Sequence, residues 1–344
     1  MSADTYLGWL VSHTRTTWWH DSADPAELQR GLDRGACGVT TNPFLANLSL
    51  TKNRAAWAAD LDAVLAGGHS AEQKAEELMR LVVTRAAAMY RPHYEASGGT
   101  RGFVCAQVNP SRAGEREAML AMARRFHTWA PNIAVKLPAV SAGLDVLEEC
   151  VAEGITATAT VSFTVPQALA IAERCRAGRQ RALRNGVTPG DCFAVIMIGR
   201  LDDYLREVAA DTRAPVSESD IRQAGLAVTK RAYRLYRERG CEAVLLVAAL
   251  RGPYHLTELA GAELVMSIAP APQEWFLDGD LPREERIEQD IDPAVVQRLG
   301  SMPEFAKAYE PDGMSPSDFI SYGLTQRTLA QFIEAGWRLL EGLR

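Results

Sequence analysis

Asn132-Ile-Ala-Val-Lys-Leu-Pro-Ala139 is the stretch on which the fold turns. Its side chains alternate with the period of two that belongs to a β-strand: Ile133, Val135 and Leu137 share one face, and Ala134, Lys136 and Pro138 share the other. Working outward, runs of the same kind recur at 16–21, 38–43, 102–109, 154–163, 192–199, 243–250 and 264–269, which with 132–138 makes eight strands. Helix-period segments separate them at 25–34, 71–90, 112–129, 143–152, 166–185, 217–239 and 255–262, and several open on a cap residue or a first-turn proline, as Thr164-Val-Pro166 does. Strands alternating with helices predict βα units and a parallel sheet, and eight of them predict a (β/α)8 TIM barrel.

The barrel is expected over about 16–270, with an extra helix inside 46–68. A Pro- and acid-rich connection at 270–292 then leads to additional C-terminal helices near 293–309 and 315–343, in an extension over 271–344. A chain of 344 residues fits one such domain, since barrels run long as single units. The formal charge of −6 and the scattered basic residues leave no electrostatic footprint for nucleic acid. The start, Met1-Ser-Ala-Asp-Thr-Tyr6, lacks the basic end and apolar run of a secretory signal, and no stretch nears the ~20 apolar residues of a membrane span, so a cytoplasmic protein is expected. Cys37, Cys105, Cys150, Cys175, Cys192 and Cys241 lie far apart without a Cys-x-x-Cys pair, and the histidines lack ligand spacing; neither disulfides nor a metal centre is expected.

Chemistry in such a barrel sits at the C-terminal ends of the strands, so polar residues on inward faces matter most. Of the five lysines, Lys52, Lys74, Lys230 and Lys307 stand in polar or helical contexts suited to a solvated surface. Lys136 instead points into the barrel between small residues. An ammonium so placed is costly unless it is paired or deprotonated, and a free amine there suits attack on a carbonyl; the alternative is a structural lysine paired with a carboxylate.

Other strands supply Asp21, Asn42, Gln107 and Asn109, each of which as a single residue also reads as a cap or turn. Thr156, Thr158, Thr160 and Ser162 form a one-sided hydroxyl ladder, suggesting a wet interior at that end or plain β-propensity. Arg200 and Arg251 end late strands, where a guanidinium suits bidentate capture of phosphate or carboxylate; the alternative is a salt bridge to Asp202, Asp203 or Glu263. Together they point to an anionic substrate.

These segments resemble the transaldolase family, including its fructose-6-phosphate aldolase branch. The matching stretches are Gly38-Val-Thr-Thr-Asn-Pro-Phe44, Ile133-Ala-Val-Lys-Leu-Pro138 with Ala142-Gly-Leu144, Glu153-Gly-Ile155, Phe163-Thr164, Gln167-Ala168 and Ile198-Gly-Arg-Leu-Asp202. The resemblance implies a barrel with neither cofactor nor metal that acts on sugar phosphates, with Lys136 as Schiff-base nucleophile and Asp21 as acid/base. It further implies Gln107 and Thr160 in the catalytic set, Asn42 and Thr158 on the substrate, and Arg200 and Arg251 on its phosphate.

The sequence departs from that pattern in four places. Gln107 replaces the usual transaldolase glutamate, as in the fructose-6-phosphate aldolase branch, and Thr158 replaces an asparagine. Met197 stands where that branch has a water-holding tyrosine, and Val195 where transaldolases have a serine. The reaction implied is dihydroxyacetone transfer between sugar phosphates, of the pentose-phosphate kind. Beside it stand a direct aldolase, a specialised aldolase with another ketose or acceptor, and a catalytically silent barrel that binds a sugar phosphate or a protein partner. A homo-oligomer stays open.

Overall fold

The computed structural model describes residues 5–277 and 281–344. The start at 1–4, and residues 278–280 of the expected acid-rich connection, lie outside the described part. Eight strands form a closed barrel in chain order: β1 (Thr17–His20), β2 (Gly38–Val39), β3 (Phe103–Gln107), β4 (Ile133–Pro138), β5 (Ala157–Thr160), β6 (Cys192–Met197), β7 (Val244–Ala248) and β8 (Val265–Ile268). Every neighbouring pair is parallel, and β8 closes on β1 with Ser267 beside Trp19. Helices separate successive strands, so the chain is the (β/α)8 TIM barrel that the alternation of elements predicts.

Register fixes what lies inside. Gln107 pairs with Lys136, Lys136 with Thr158, and Thr158 with Phe193, so these four side chains all face into the barrel. Toward the N-terminal ends of the strands the interior is sealed by aromatic rings. Phe193 lies 4.6 Å from Trp19 and 5.6 Å from Phe103, centroid to centroid, each close to edge-on. Room for the indole comes from Gly38, where an added Cβ would stand 2.6 Å from the Trp19 ring. With its floor plugged, the barrel opens at the end where Lys136 stands.

Several expectations need correction. The interval between β6 and the helix Glu218–Glu238 carries a helix that the sequence reading omits, Ile198–Thr212, so Arg200 stands in a first helical turn and not at a strand end. The strand expected over 154–163 stops at Thr160, because Val161 adopts φ 57°, and Ser162 donates instead to the Val195 carbonyl. Lys230 is no surface lysine. It is buried on the helix Glu218–Glu238, where its ammonium donates to the carbonyls of Gln289 (2.7 Å) and Arg286 (3.0 Å) and meets Glu258 at 3.4 Å, tying down the segment after β8.

The extra helix foreseen within 46–68 is two, Pro43–Lys52 and Arg54–Ala66. The helix foreseen at 293–309 is also two, Pro293–Leu299 and Pro303–Tyr309. Beyond them Gly323–Phe332 runs into a π-helical turn, Ile333–Trp337, and ends in Arg338–Gly342. That turn lies on the β2 loop so closely that a Cβ on Gly336 would stand 2.8 Å from the Phe44 nitrogen. The C-terminal segment thereby reaches the mouth of the barrel. Among the described residues no helix is long and apolar enough to cross a membrane.

Candidate active site

A cavity of about 440 Å3 opens at the C-terminal ends of the strands. Six of the candidate catalytic and substrate-binding residues line it, Asp21, Asn42, Lys136, Thr160, Arg200 and Arg251, together with Val195 and Met197. Gln107 and Thr158 do not. They flank Lys136 on the neighbouring strands, buried, with the Thr158 hydroxyl accepting from the Cys105 thiol at 3.7 Å and the Gln107 Oε1 without a partner in the described structure. Of the hydroxyl ladder on β5, only Thr160 reaches the cavity, and its Oγ1 too has no partner there.

Lys136 is 6% exposed, and its ammonium nitrogen donates to the Thr41 carbonyl at 3.2 Å. Among the described residues no carboxylate lies within ion-pair distance of it, which disfavours the structural-lysine alternative. The Thr41 carbonyl is itself held in place, since the Thr41 hydroxyl donates to the Cys105 carbonyl at 2.7 Å. Behind the strand, the buried Gln167 amide donates to the carbonyls of Ala139 (3.2 Å) and Val161 (3.0 Å) and accepts from the Phe163 N–H, clamping the turns after β4 and β5.

Asp21 stands just past β1. The Thr40 hydroxyl donates to its Oδ1 at 2.7 Å, and Ser267 Oγ lies 2.6 Å from the same hydroxyl. With the Thr40 proton given to the carboxylate, Ser267 is left to donate to Thr40, which makes a three-membered chain across β8, β2 and β1. Burial pushes the Asp21 pKa up, and the charge of Lys136, the Thr40 hydrogen bond and Arg200 offset only part of that rise. A carboxyl so placed takes and returns protons nearer to neutral pH than an exposed aspartate does.

Asn42 has two tasks. Its Oδ1 caps the helix Pro43–Lys52 by accepting from the Leu45 N–H at 2.9 Å, and the residue also faces the cavity. Asn109 is a cap alone: its Oδ1 accepts from Ser111 N–H and its amide donates to Glu72.

The arginines stand together but are held differently. Arg251 forms an ion pair with Asp203 at 2.7 Å and also donates to the Ala249 carbonyl, where the backbone lies at φ 63°. Among the described residues Arg200 meets no carboxylate within ion-pair distance. Its Nη1 donates to the Gln331 side chain at 2.6 Å, its Nε is buried without a partner, and the Phe332 ring lies 5.6 Å from its Cζ. Burial, then the neighbouring Arg251, push its pKa down. A half-buried cation with spare donors is an open seat for an anion.

Sequence reasoning missed Thr40, Ser267, Gln331 and Phe332. Ser267 shares one face with Val265 and Ala269 at the end of β8 and was open to the same inward-face reading as Thr160. Gln331 and Phe332 arrive from a helix about 130 residues beyond Arg200 in the chain and carry no local signal.

Comparison with known proteins bears on this arrangement. A family model described as Transaldolase/Fructose-6-phosphate aldolase matches residues 18–320. The chain belongs to this family. Three relatives illustrate the range of similarity within it. A "Transaldolase" of Parafrankia sp. is 26% identical over 323 residues, covering 90% of this chain and 82% of the relative. One of Neisseria gonorrhoeae is 32% identical over 195 residues, 54% of each chain, and "Transaldolase 2" of Nostoc sp. is 30% identical over 155 residues, 43% of this chain and 40% of the relative. Over the latter two the match spans about half of the relative's length or less. The family match takes in Lys136, Asp21 and both arginines but stops short of Gln331 and Phe332, which line the same cavity.

Proposed function

We propose that the chain is a transaldolase, moving a dihydroxyacetone unit between sugar phosphates through an imine on Lys136. The observation that carries this reading is the convergence of the Lys136 amine, the Asp21 carboxyl and two guanidinium groups on one cavity. The unprotonated amine adds to the ketose carbonyl, and the carbinolamine takes up a proton and loses water, giving a cationic imine that serves as an electron sink. Asp21 takes the proton from the hydroxyl at the bond to be broken; the carbon–carbon bond cleaves, an aldehyde leaves and the electron pair remains as an enamine. A new aldehyde is then attacked by the enamine, Asp21 returns the proton, and water releases the product from Lys136. Asn42 and Thr160 face the donor hydroxyls. Gln107 and Thr158 support Lys136 from either side, and Arg200 with Arg251 receives the phosphate.

The wall formed by β6 and β7 favours transfer over direct release. Val195, Met197, Leu246 and Ala248 line it, and their side chains offer a water molecule nothing stronger than the weak acceptor of the Met197 thioether. An enamine facing that wall is shielded from protonation by solvent and persists until an aldehyde arrives. The test is to supply fructose 6-phosphate with and without erythrose 4-phosphate. Transfer predicts about one equivalent of glyceraldehyde 3-phosphate per active site without acceptor and continuous turnover with it. Continuous release without acceptor would establish the direct aldolase instead.

Two substitutions test the phosphate seat. Arg200→Ala removes the guanidinium that meets no carboxylate among the described residues, and kcat/KM for fructose 6-phosphate is expected to fall roughly 100-fold, the scale of losing a charge-assisted bidentate contact. Gln331→Glu sets a carboxylate where an amide oxygen now accepts from Arg200, so an internal ion pair competes with the phosphate; KM is expected to rise roughly tenfold with little change in kcat. Unchanged KM in both variants would place the phosphate elsewhere.

A further inference from the structure

Two adjacent carboxylates on the helix Ile198–Thr212 both act on Arg251. Asp203 does so directly, through its ion pair with the guanidinium. Asp202 does so at one remove. It is wholly buried, its Oδ1 accepts from the Gly225 N–H at 2.8 Å, and its Oδ2 lies 2.9 Å from Nε2 of the equally buried His255. The other ring nitrogen, Nδ1, accepts the main-chain N–H of Arg251 at 3.1 Å. A main-chain N–H only donates, so Nδ1 bears the lone pair and Nε2 the proton, and the Asp202 carboxylate selects that tautomer. Neither Asp202 nor His255 lines the cavity.

We propose that Asp202 and His255 are a positioning pair for the phosphate subsite: by holding one imidazole tautomer they anchor the turn after β7 and set the direction of the Arg251 guanidinium. The inference rests on the reading of Arg200 and Arg251 as phosphate ligands. The turn needs such an anchor. Ala249 sits at φ 63°, a conformation that an alanine seldom adopts and that surrounding contacts must hold. The Arg251 guanidinium donates back to the Ala249 carbonyl, so a shift of this turn carries the charged group with it. The first two turns of one helix would thus organise both arginines, Arg200 by bearing it and Arg251 through Asp202 and Asp203.

Asp202→Asn tests the pair without changing its volume. The asparagine Oδ1 still accepts from Gly225, but the amide NH2 now faces Nε2; the ring answers by moving its proton to Nδ1, which then opposes the Arg251 N–H. His255→Leu removes both hydrogen bonds. His255→Gln supplies one donor and one acceptor and serves as the conservative rescue. The readout on the full-length chain is the concentration for half-maximal borohydride trapping with fructose 6-phosphate, set against that with dihydroxyacetone, which has no phosphate.

Asp202→Asn and His255→Leu are each expected to raise the fructose 6-phosphate value about tenfold, the scale of a modestly misplaced binding group, and the dihydroxyacetone value less than about twofold. His255→Gln is expected to stay within about threefold of wild type for both. In the 15N spectrum the His255 proton should move from Nε2 to Nδ1 in Asp202→Asn. Equal changes for the two ligands, or an unmoved tautomer with unchanged phosphate dependence, would overturn the inference. A wild-type protein that prefers the phosphorylated sugar, with variants that keep the preference, refutes this pair alone. A wild type indifferent to the phosphate refutes the phosphate reading and the pair together.

Discussion

Lys136→Met is expected to lower turnover of fructose 6-phosphate by about 10^5-fold or more, the scale of losing a catalytic nucleophile, while the protein stays folded. The methionine keeps the length and apolar stem of the lysine in a site that is almost closed to solvent, so packing changes little. What it removes is the nitrogen that donates to the Thr41 carbonyl. Without it no imine forms, and the ketose carbon–carbon bond has no electron sink. The remaining groups still bind the sugar, so KM should move far less than kcat. Steady-state kinetics with a thermal melt of the same sample checks both halves of the expectation. A variant that retains more than about a hundredth of wild-type turnover would mean that another group carries the chemistry.

The second large effect belongs to Asp21. Asp21→Asn keeps the shape and can still accept from the Thr40 hydroxyl, but cannot take a proton; cleavage is expected to slow by about 10^3-fold, within the range of general acid–base catalysis. Capture of a ketone by Lys136 should survive. The pH profile separates this from a structural defect. Burial raises the Asp21 pKa, so the acid limb of kcat/KM for cleavage should lie above the ordinary carboxylate range and disappear in the variant.

Linkage gives the matching stability effect. A carboxyl whose folded pKa is raised binds its proton more tightly in the folded than in the unfolded chain. It therefore costs stability progressively as pH rises from the unfolded pKa through the folded one. Asp21→Asn removes that cost, so at neutral pH the variant should melt higher than wild type while turning over far less. A lower melting temperature at neutral pH together with an unmoved acid limb would contradict the role assigned to Asp21.

How far the sequence discloses this protein depends on the range of the interactions involved. The strands are legible because alternation is local: Ile133, Val135 and Leu137 against Ala134, Lys136 and Pro138 suffices to aim Lys136 inward, and the structure places it there. The helix Ile198–Thr212 is legible in principle, since Ile198, Leu201, Leu205 and Val208 recur at helical spacing. It is hidden because Ile198 and Gly199 also extend the apolar run of β6. Lys230 deceives for the opposite reason. Arg231 and Arg234 beside it in sequence suggest a solvated face, while its ammonium is covered by carbonyls from a segment more than fifty residues later.

Closure of the barrel is the least local event of all. Only when β8 meets β1 do Ser267, Thr40 and Asp21 fall into one hydrogen-bonded chain, and only the docking of the C-terminal helix brings Gln331 to Arg200. Asn42 shows the limit of reading residues as either structural or functional. It caps a helix through Oδ1 and faces the cavity at once.

The most direct measurement is borohydride reduction in the presence of dihydroxyacetone, followed by intact mass and peptide mapping of wild type and Lys136→Met side by side. The account predicts one three-carbon adduct per wild-type chain, mapped to the peptide that contains Lys136, and none on the variant. An adduct that persists on the variant, or that maps in wild type to Lys52, Lys74, Lys230 or Lys307, would contradict it.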